Sequence, residues 1–313
     1  MKTIRNSIVA FSLLLISTIG NAQQDPMFTH YMYNTLSINP AYAGSRDALT
    51  VTGLHRSQWV GFEGAPLVQT ITAHSPIFTD KLGIGLTVMN DKIGFTNNSS
   101  FIADFAYRLT LNKKSKLAIG LSAGVNLFQA DMSSMDLDQE TDPIFQNNIT
   151  NQVTPSVGVG LYYSRERFYA GVSTPNLLQE DYKGIILADG TPSIGKRERH
   201  YFFIAGGVIK LTDNLAFKPT TLVKMTEAAP LQADFTASFL IKQRLTLGAM
   251  YRTGDAFGAL IGLNVSEQFF LGYSYDYSYK INTARTNQGS HELMLRYDFI
   301  FSSNKQIHTP RYF

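Results

Sequence analysis

The chain has 313 residues, 44% hydrophobic and 12% aromatic, with only 16% charged and no cysteine. That excludes a disulfide scaffold, a cysteine-ligated zinc site and a thiol nucleophile, and it argues against disorder. The net charge of +3 makes no electrostatic case for nucleic acid.

Residues 1–22 read as a signal peptide. Lys2 and Arg5 form the positive start, Ile8 to Ile19 the short apolar run, and Gly20-Asn21-Ala22 the small-residue site. Cleavage is expected after Ala22. The run is too short for a bilayer-spanning helix, which needs about 20 residues. No later segment supplies such a run. The mature chain is therefore exported, and is either soluble or a barrel in an outer membrane.

Residues 23–47 lack clean alternation and hold Phe28, Tyr31, Tyr33 and Tyr42. This segment either folds into a barrel lumen as a plug or stays periplasmic. From residue 48 onward, period-two alternation dominates. About fourteen segments of membrane-strand length follow. They cover approximately 48–56, 66–76, 82–90, 100–111, 116–128, 153–164, 168–174, 200–210, 215–224, 231–241, 244–253, 256–264, 269–278 and 291–301. In the fifth, Leu117, Ile119, Leu121, Ala123, Val125 and Leu127 share one face, with small or polar residues opposite. The last sets Leu293, Leu295, Tyr297 and Phe299 against Met294, Arg296 and Asp298.

The connections alternate as well. Those after even-numbered strands are short and polar, such as Asn112 to Ser115 and Lys242-Gln243. The long ones, Gln129 to Gln152, Pro175 to Arg199 and Lys280 to Ser290, follow odd-numbered strands. Short turns at one end and long loops at the other describe a transmembrane outer-membrane β-barrel, here all-β with about fourteen antiparallel strands over residues 48–301. An even strand count returns both termini to the periplasm. Residues 302–313 are then a periplasmic tail.

The continuous apolar face should meet lipid, because a closed barrel satisfies every backbone group in hydrocarbon. Tyr273, Tyr275 and Tyr277 suit a membrane interface. The other face should line the lumen. It carries the cations Arg108, Lys218, Lys224, Arg252 and Arg296, and the anions Asp104, Asp234, Asp276 and Asp298. Such near balance suggests paired charges and a filled interior more than a pore of one sign.

No residue set suggests a catalytic step. The histidines His30, His55, His74, His200, His291 and His308 form no metal-like pair, and no cofactor or metal site is expected. Gly158-Val159-Gly160 lies in a predicted strand and reads as small lumenal residues, not a phosphate cradle. The acids Asp136, Asp138, Glu140 and Asp142 lack the glycine and terminal glutamate of a calcium loop, and read as a solvated outer loop. Trp59 and Phe62, in the first outer loop, fit either an interface anchor or a hydrophobic contact for a partner.

Several stretches are recognisable. They are QDPMFTHYMYNTLSINPAYAGSRDAL (Gln24 to Leu49), HRSQWVGFEGAP (His55 to Pro66), TAHSP (Thr72 to Pro76), GIGLTVMNDKIG (Gly83 to Gly94), GSHELMLRYDF (Gly289 to Phe299) and TPRYF (Thr309 to Phe313). With them the chain resembles the PorP/SprF family of Bacteroidota outer-membrane proteins. The resemblance implies a non-catalytic barrel of the type IX secretion system. Some members contact periplasmic machinery. Others hold one secreted protein, often a large surface adhesin and sometimes one for gliding motility, through its C-terminal domain. On this resemblance Tyr42, Trp59, Phe62, Arg311, Tyr312 and Phe313 are expected to meet partners, alongside the contact of the barrel with outer-membrane lipid. The competing classes are a diffusion channel for a small or hydrophobic nutrient and a soluble periplasmic enzyme.

Overall fold

The computed structural model describes residues 26–78, 81–132, 148–181, 196–227, 229–279 and 288–300. The amino-terminal 25 residues, the acidic run 136–142 and the tail 302–313 lie outside them. No helix among the described residues is long and apolar enough to cross a membrane; the chain crosses with strands.

The strands are β1 (Leu49–Ser57), β2 (Leu67–Ile77), β3 (Leu82–Ile93), β4 (Thr96–Asn112), β5 (Ser115–Ala130), β6 (Ile149–Arg165) and β7 (Phe168–Thr174). Then come β8 (His200–Gly207, resumed after Val208 as Ile209–Thr212), β9 (Leu215–Thr226), β10 (Ala229–Ile241), β11 (Leu245–Arg252), β12 (Ala256–Asn264), β13 (Phe269–Ser278) and β14 (Ser290–Phe299). Counting the two parts of β8 as one, the 15-stranded sheet has fourteen staves among the described residues. Each is antiparallel to its sequence neighbour. The ring closes where β1 meets β14, from Leu49 opposite Phe299 to Ser57 opposite His291. A separate ribbon pairs Glu180–Asp181 with Lys196–Arg197.

The alternation of the sequence is the alternation of the wall. Along β14, Leu293, Leu295, Tyr297 and Phe299 are exposed, while Glu292, Met294, Arg296 and Asp298 are buried. The exposed apolar side chains form a continuous outer face, as lipid contact requires. With that face spent on lipid, the hydrophobic core lies inside the ring. It joins Phe28, Tyr31, Met32, Tyr33, Leu36, Ile38 and Tyr42 to the inward Leu54, Tyr162, Tyr169, Phe202, Ile204 and Met294.

Strand lengths are uneven. β4, β5 and β6 have 17, 16 and 17 residues, whereas β11 has 8. A membrane needs only about 9–11 residues per tilted strand, so the β4–β6 wall rises past the hydrocarbon at its loop end. Asn90, on β3, donates to Asn97 (2.8 Å) and Ser99 (2.9 Å) on that rise, and Gln129 donates to Asn151 (2.6 Å).

Candidate functional site

Two places carry the features that matter: the filled lumen and the first outer loop. The lumen is occupied by the residues just before β1. Their path is set by two single 3-10 turns, Thr35–Ser37 and Pro40–Tyr42. Asn39 caps the second, its side-chain oxygen accepting from the Ala41 N–H at 2.9 Å. Pro40 opens the turn, where a missing N–H costs nothing. Gly44, at φ +72°, supplies the left-handed step that leads toward β1.

The recognisable stretch Asn39 to Gly44 lies against a track of inward glycines. A Cβ on Gly83 would strike the Ala43 carbonyl, one on Gly120 the Ala41 backbone, and one on Gly160 the Asn39 side chain. Only hydrogen at these positions lets two backbones approach this closely. Gly158-Val159-Gly160 thus has a packing use.

Polar contacts fasten the segment around much of the circumference. Asn34 accepts from Thr72 on β2 at 2.9 Å, and Asn39 donates to the Leu161 carbonyl on β6 at 3.0 Å. Ser173 on β7 donates to the Ile38 carbonyl at 2.7 Å. The Tyr31 hydroxyl meets Thr220 on β9 at 3.0 Å and Thr236 on β10 at 3.3 Å. Burial pushes the Tyr31 phenol well above its ordinary pKa, so it stays a neutral hydroxyl. Tyr33 packs on Phe270 with centroids 4.8 Å apart, and Lys218 stands over its ring at 4.9 Å.

Charges close the two ends of this packing. Toward the short turns, Arg46 pairs with Asp298 through Nε (3.2 Å) and Nη2 (2.9 Å). Burial works against the Arg46 guanidinium, but Asp298 more than offsets this and its pKa is raised. Arg108 reaches Asp47 at 3.1 Å and the Gly44 carbonyl. Toward the loops, Glu292 accepts from the Thr29 N–H (2.9 Å) and the His30 N–H (2.7 Å). It also lies 2.7 Å from the His30 ring and 3.2 Å from Arg56. Arg56 meets Asp276 at 2.8 Å, and Arg252 pairs with Asp234 at 2.8 Å.

All nine residues expected to line the lumen are buried on the inner face: Asp104, Arg108, Lys218, Lys224, Asp234, Arg252, Asp276, Arg296 and Asp298. Arg296 lies over the rings of Tyr33 (5.5 Å) and Phe270 (5.1 Å). Two further lumenal charges, Arg56 and Glu292, share the inward parity of their strands, and Arg46 and Asp47 answer wall charges from a segment where no alternation marks them. Tyr42 is also inside. It is 3% exposed and packs edge-on against His74 and Tyr162, with centroids 5.2 and 5.3 Å away. An outside partner reaches it only by displacing the segment.

The first outer loop is held at both flanks. The Val60 N–H donates to the Gly289 carbonyl at 2.8 Å, and the Gln288 N–H donates back to the Val60 carbonyl at 2.7 Å. The Gly94 N–H donates to the Gly64 carbonyl at 2.9 Å. Trp59, at φ +50°, is half-buried. Phe62 is 53% exposed at the tip. Arg311, Tyr312 and Phe313 lie outside the described residues. Among the described residues no group of acids and histidines could hold a metal ion.

Comparison with known proteins adds the family level. The family described as Type IX secretion system membrane protein PorP/SprF matches residues 20–297. Comparison with curated proteins gives no match. Among solved structures, the chain is similar to the Acinetobacter baumannii outer membrane protein Omp33, at 10% identity and a TM-score of 0.44, covering 81% of this chain and 100% of that one. It is similar to the CymD monoaromatic hydrocarbon channel at 9% identity and 0.47, covering 85% and 92%. The KdgM porin gives 8% and 0.37, covering 80% and 99%.

Proposed function

The chain belongs to the PorP/SprF family of type IX secretion system membrane proteins, and from that premise we propose that it is a sealed barrel that holds a secreted surface protein at the outer membrane through that protein's C-terminal domain. The observation that carries this reading is the filled lumen. A barrel whose core is its own amino-terminal segment, ion-paired to the wall at Arg46 and hydrogen-bonded to Glu292 at the other end, is built to present surfaces and not to pass solutes. The loop end then offers the binding surface, with Phe62 as its anchor. An exposed aromatic on a loop already fixed by backbone hydrogen bonds binds without an added ordering cost. Trp59 positions that loop. Arg311, Tyr312 and Phe313 are assigned to periplasmic secretion components.

The test is co-purification from detergent-solubilised outer membranes, with bound proteins identified by mass spectrometry. A secreted protein retained through its C-terminal domain, and lost from a Phe62→Ala barrel that still folds, is the expected result. Recovery of periplasmic components alone would assign the barrel to the core machinery instead. Recovery of neither would leave the diffusion channel as the better reading.

A further inference from the structure

The two ends of the barrel differ in charge in a way that neither the plug nor the outer loop explains. At the short-turn end, the β4–β5 turn carries Lys113 and Lys114, the β6–β7 turn Arg165 and Arg167, and the β10–β11 turn Lys242 and Arg244. All six are exposed, and none makes an ion pair among the described residues. Two acids lie along this stretch of rim: Glu166 between the two arginines, and Asp213 in the intervening β8–β9 turn, where it pairs with Lys210 at 2.8 Å. The turn after β12 carries Glu267 and no cation, so the positive charge covers an arc of the rim and not all of it. At the opposite end the exposed charges are mostly acidic, Glu63, Asp131 and Glu227 against Lys92.

Each cationic turn adjoins the outer apolar face. Leu111 (55% exposed) stands two residues before Lys113, and Phe168 (46%) follows Arg167. Ile241 and Leu245, opposite each other in the β10–β11 register, flank Lys242 and Arg244. Long cationic side chains at the edge of an apolar belt keep their stems on hydrocarbon and their heads among polar groups. Short turns of single-chain barrels face the periplasm, so these heads lie at the level of the inner-leaflet headgroups.

We propose that this arc of turns binds anionic phospholipid headgroups of the periplasmic leaflet of the outer membrane. The placement favours lipid over an acidic protein. The cations are spread over three separate turns along the rim, and every one of those turns touches the lipid-facing surface. A docked protein would call for one compact patch.

The test uses the full-length barrel in nanodiscs of mixed phosphatidylglycerol and phosphatidylethanolamine, with native mass spectrometry of the lipids that stay bound. Wild type is expected to retain phosphatidylglycerol over phosphatidylethanolamine by about fivefold for each closely engaged cation. The combined variant Lys113→Gln, Lys114→Gln, Arg165→Gln, Arg167→Gln, Lys242→Gln and Arg244→Gln should lose that preference while keeping the heat-sensitive gel mobility of a folded barrel. Equal retention of the two lipids by wild type, or an unchanged preference in the variant, would overturn the proposal. If the variant does not fold, a salt titration of wild type decides. Screening should erase the preference, and a preference indifferent to salt would overturn it. An acidic periplasmic protein captured through the same six side chains, with no lipid preference, would replace the lipid with a protein partner.

Discussion

Glu292 shows how one carboxylate can hold a segment to a wall. It takes two backbone N–H groups from residues 29 and 30, lies against the His30 ring and reaches Arg56, all buried. Removing it strands those donors without water. Glu292→Ala is therefore expected to cost about 3–5 kcal/mol, the loss typical of breaking a buried pair, and to lower the temperature at which the barrel loses its heat-sensitive gel mobility. Gly120→Ala acts by contact alone. Its new methyl meets the Ala41 backbone, so the segment must lift, and limited proteolysis should cut before residue 47 where wild type resists. Phe62→Ala should leave the melting temperature unchanged, since the side chain is exposed. Partner affinity should fall by about 2 kcal/mol, the scale of an interface hot spot. Parity explains which residues were legible. The nine lumenal charges follow from counting along strands already placed. Arg56 and Glu292 obey the same rule near strand ends, where register is hardest to judge. The contacts of Tyr42 follow from how the segment folds back into the ring, and no local pattern in residues 23–47 records that.

At the scale of elements, the strand spans were the most legible feature. The expected 168–174, 256–264 and 269–278 coincide with β7, β12 and β13. The largest differences are at the loop ends of β4 and β6, expected from 100 and 153 and beginning at Thr96 and Ile149. There Asn97, Asn98, Asn151 and Gln152 replace the apolar alternation, because the wall has left the hydrocarbon and polar residues suffice on both faces. The interruption of β8 at Val208 carries no sequence signal, as Val continues a strand pattern. The β10–β11 hairpin yields a separate prediction. Lys242 and Gln243 both hold left-handed backbone, at φ +49° and +57°. They are the two central residues of the β-turn that the Arg244 N–H closes on the Ile241 carbonyl at 3.0 Å, and left-handed backbone at both positions prefers Asn-Gly. Gln243→Gly should relieve about 1 kcal/mol of that strain and raise the thermal midpoint; an unchanged or lower midpoint would contradict the strain assignment. The amino-terminal segment was legible only as something other than strand. Its aromatic content fitted both a plug and a periplasmic tether, and the lumenal placement follows from surfaces brought together only when the ring closes.

For the whole molecule, the fold was readable because a membrane barrel obeys simple constraints. Lipid outside demands an unbroken apolar face, a closed ring leaves no unpaired edge, and loop lengths alternate with the side of the membrane. The family was readable only through resemblance, since the sequence offers no catalytic motif to reason from and a barrel wall looks much the same whether it conducts or holds. What separates the two uses is the interior. Here it is a packed core whose charges are answered largely from within. The most direct measurement is single-channel conductance in planar bilayers, comparing the full barrel with one lacking residues 26–47. The sealed-barrel account predicts that the full barrel conducts scarcely at all and that the shortened one, confirmed as folded, opens to steady ionic current. Steady current through the full barrel at low voltage would contradict it and return the molecule to the diffusion channels.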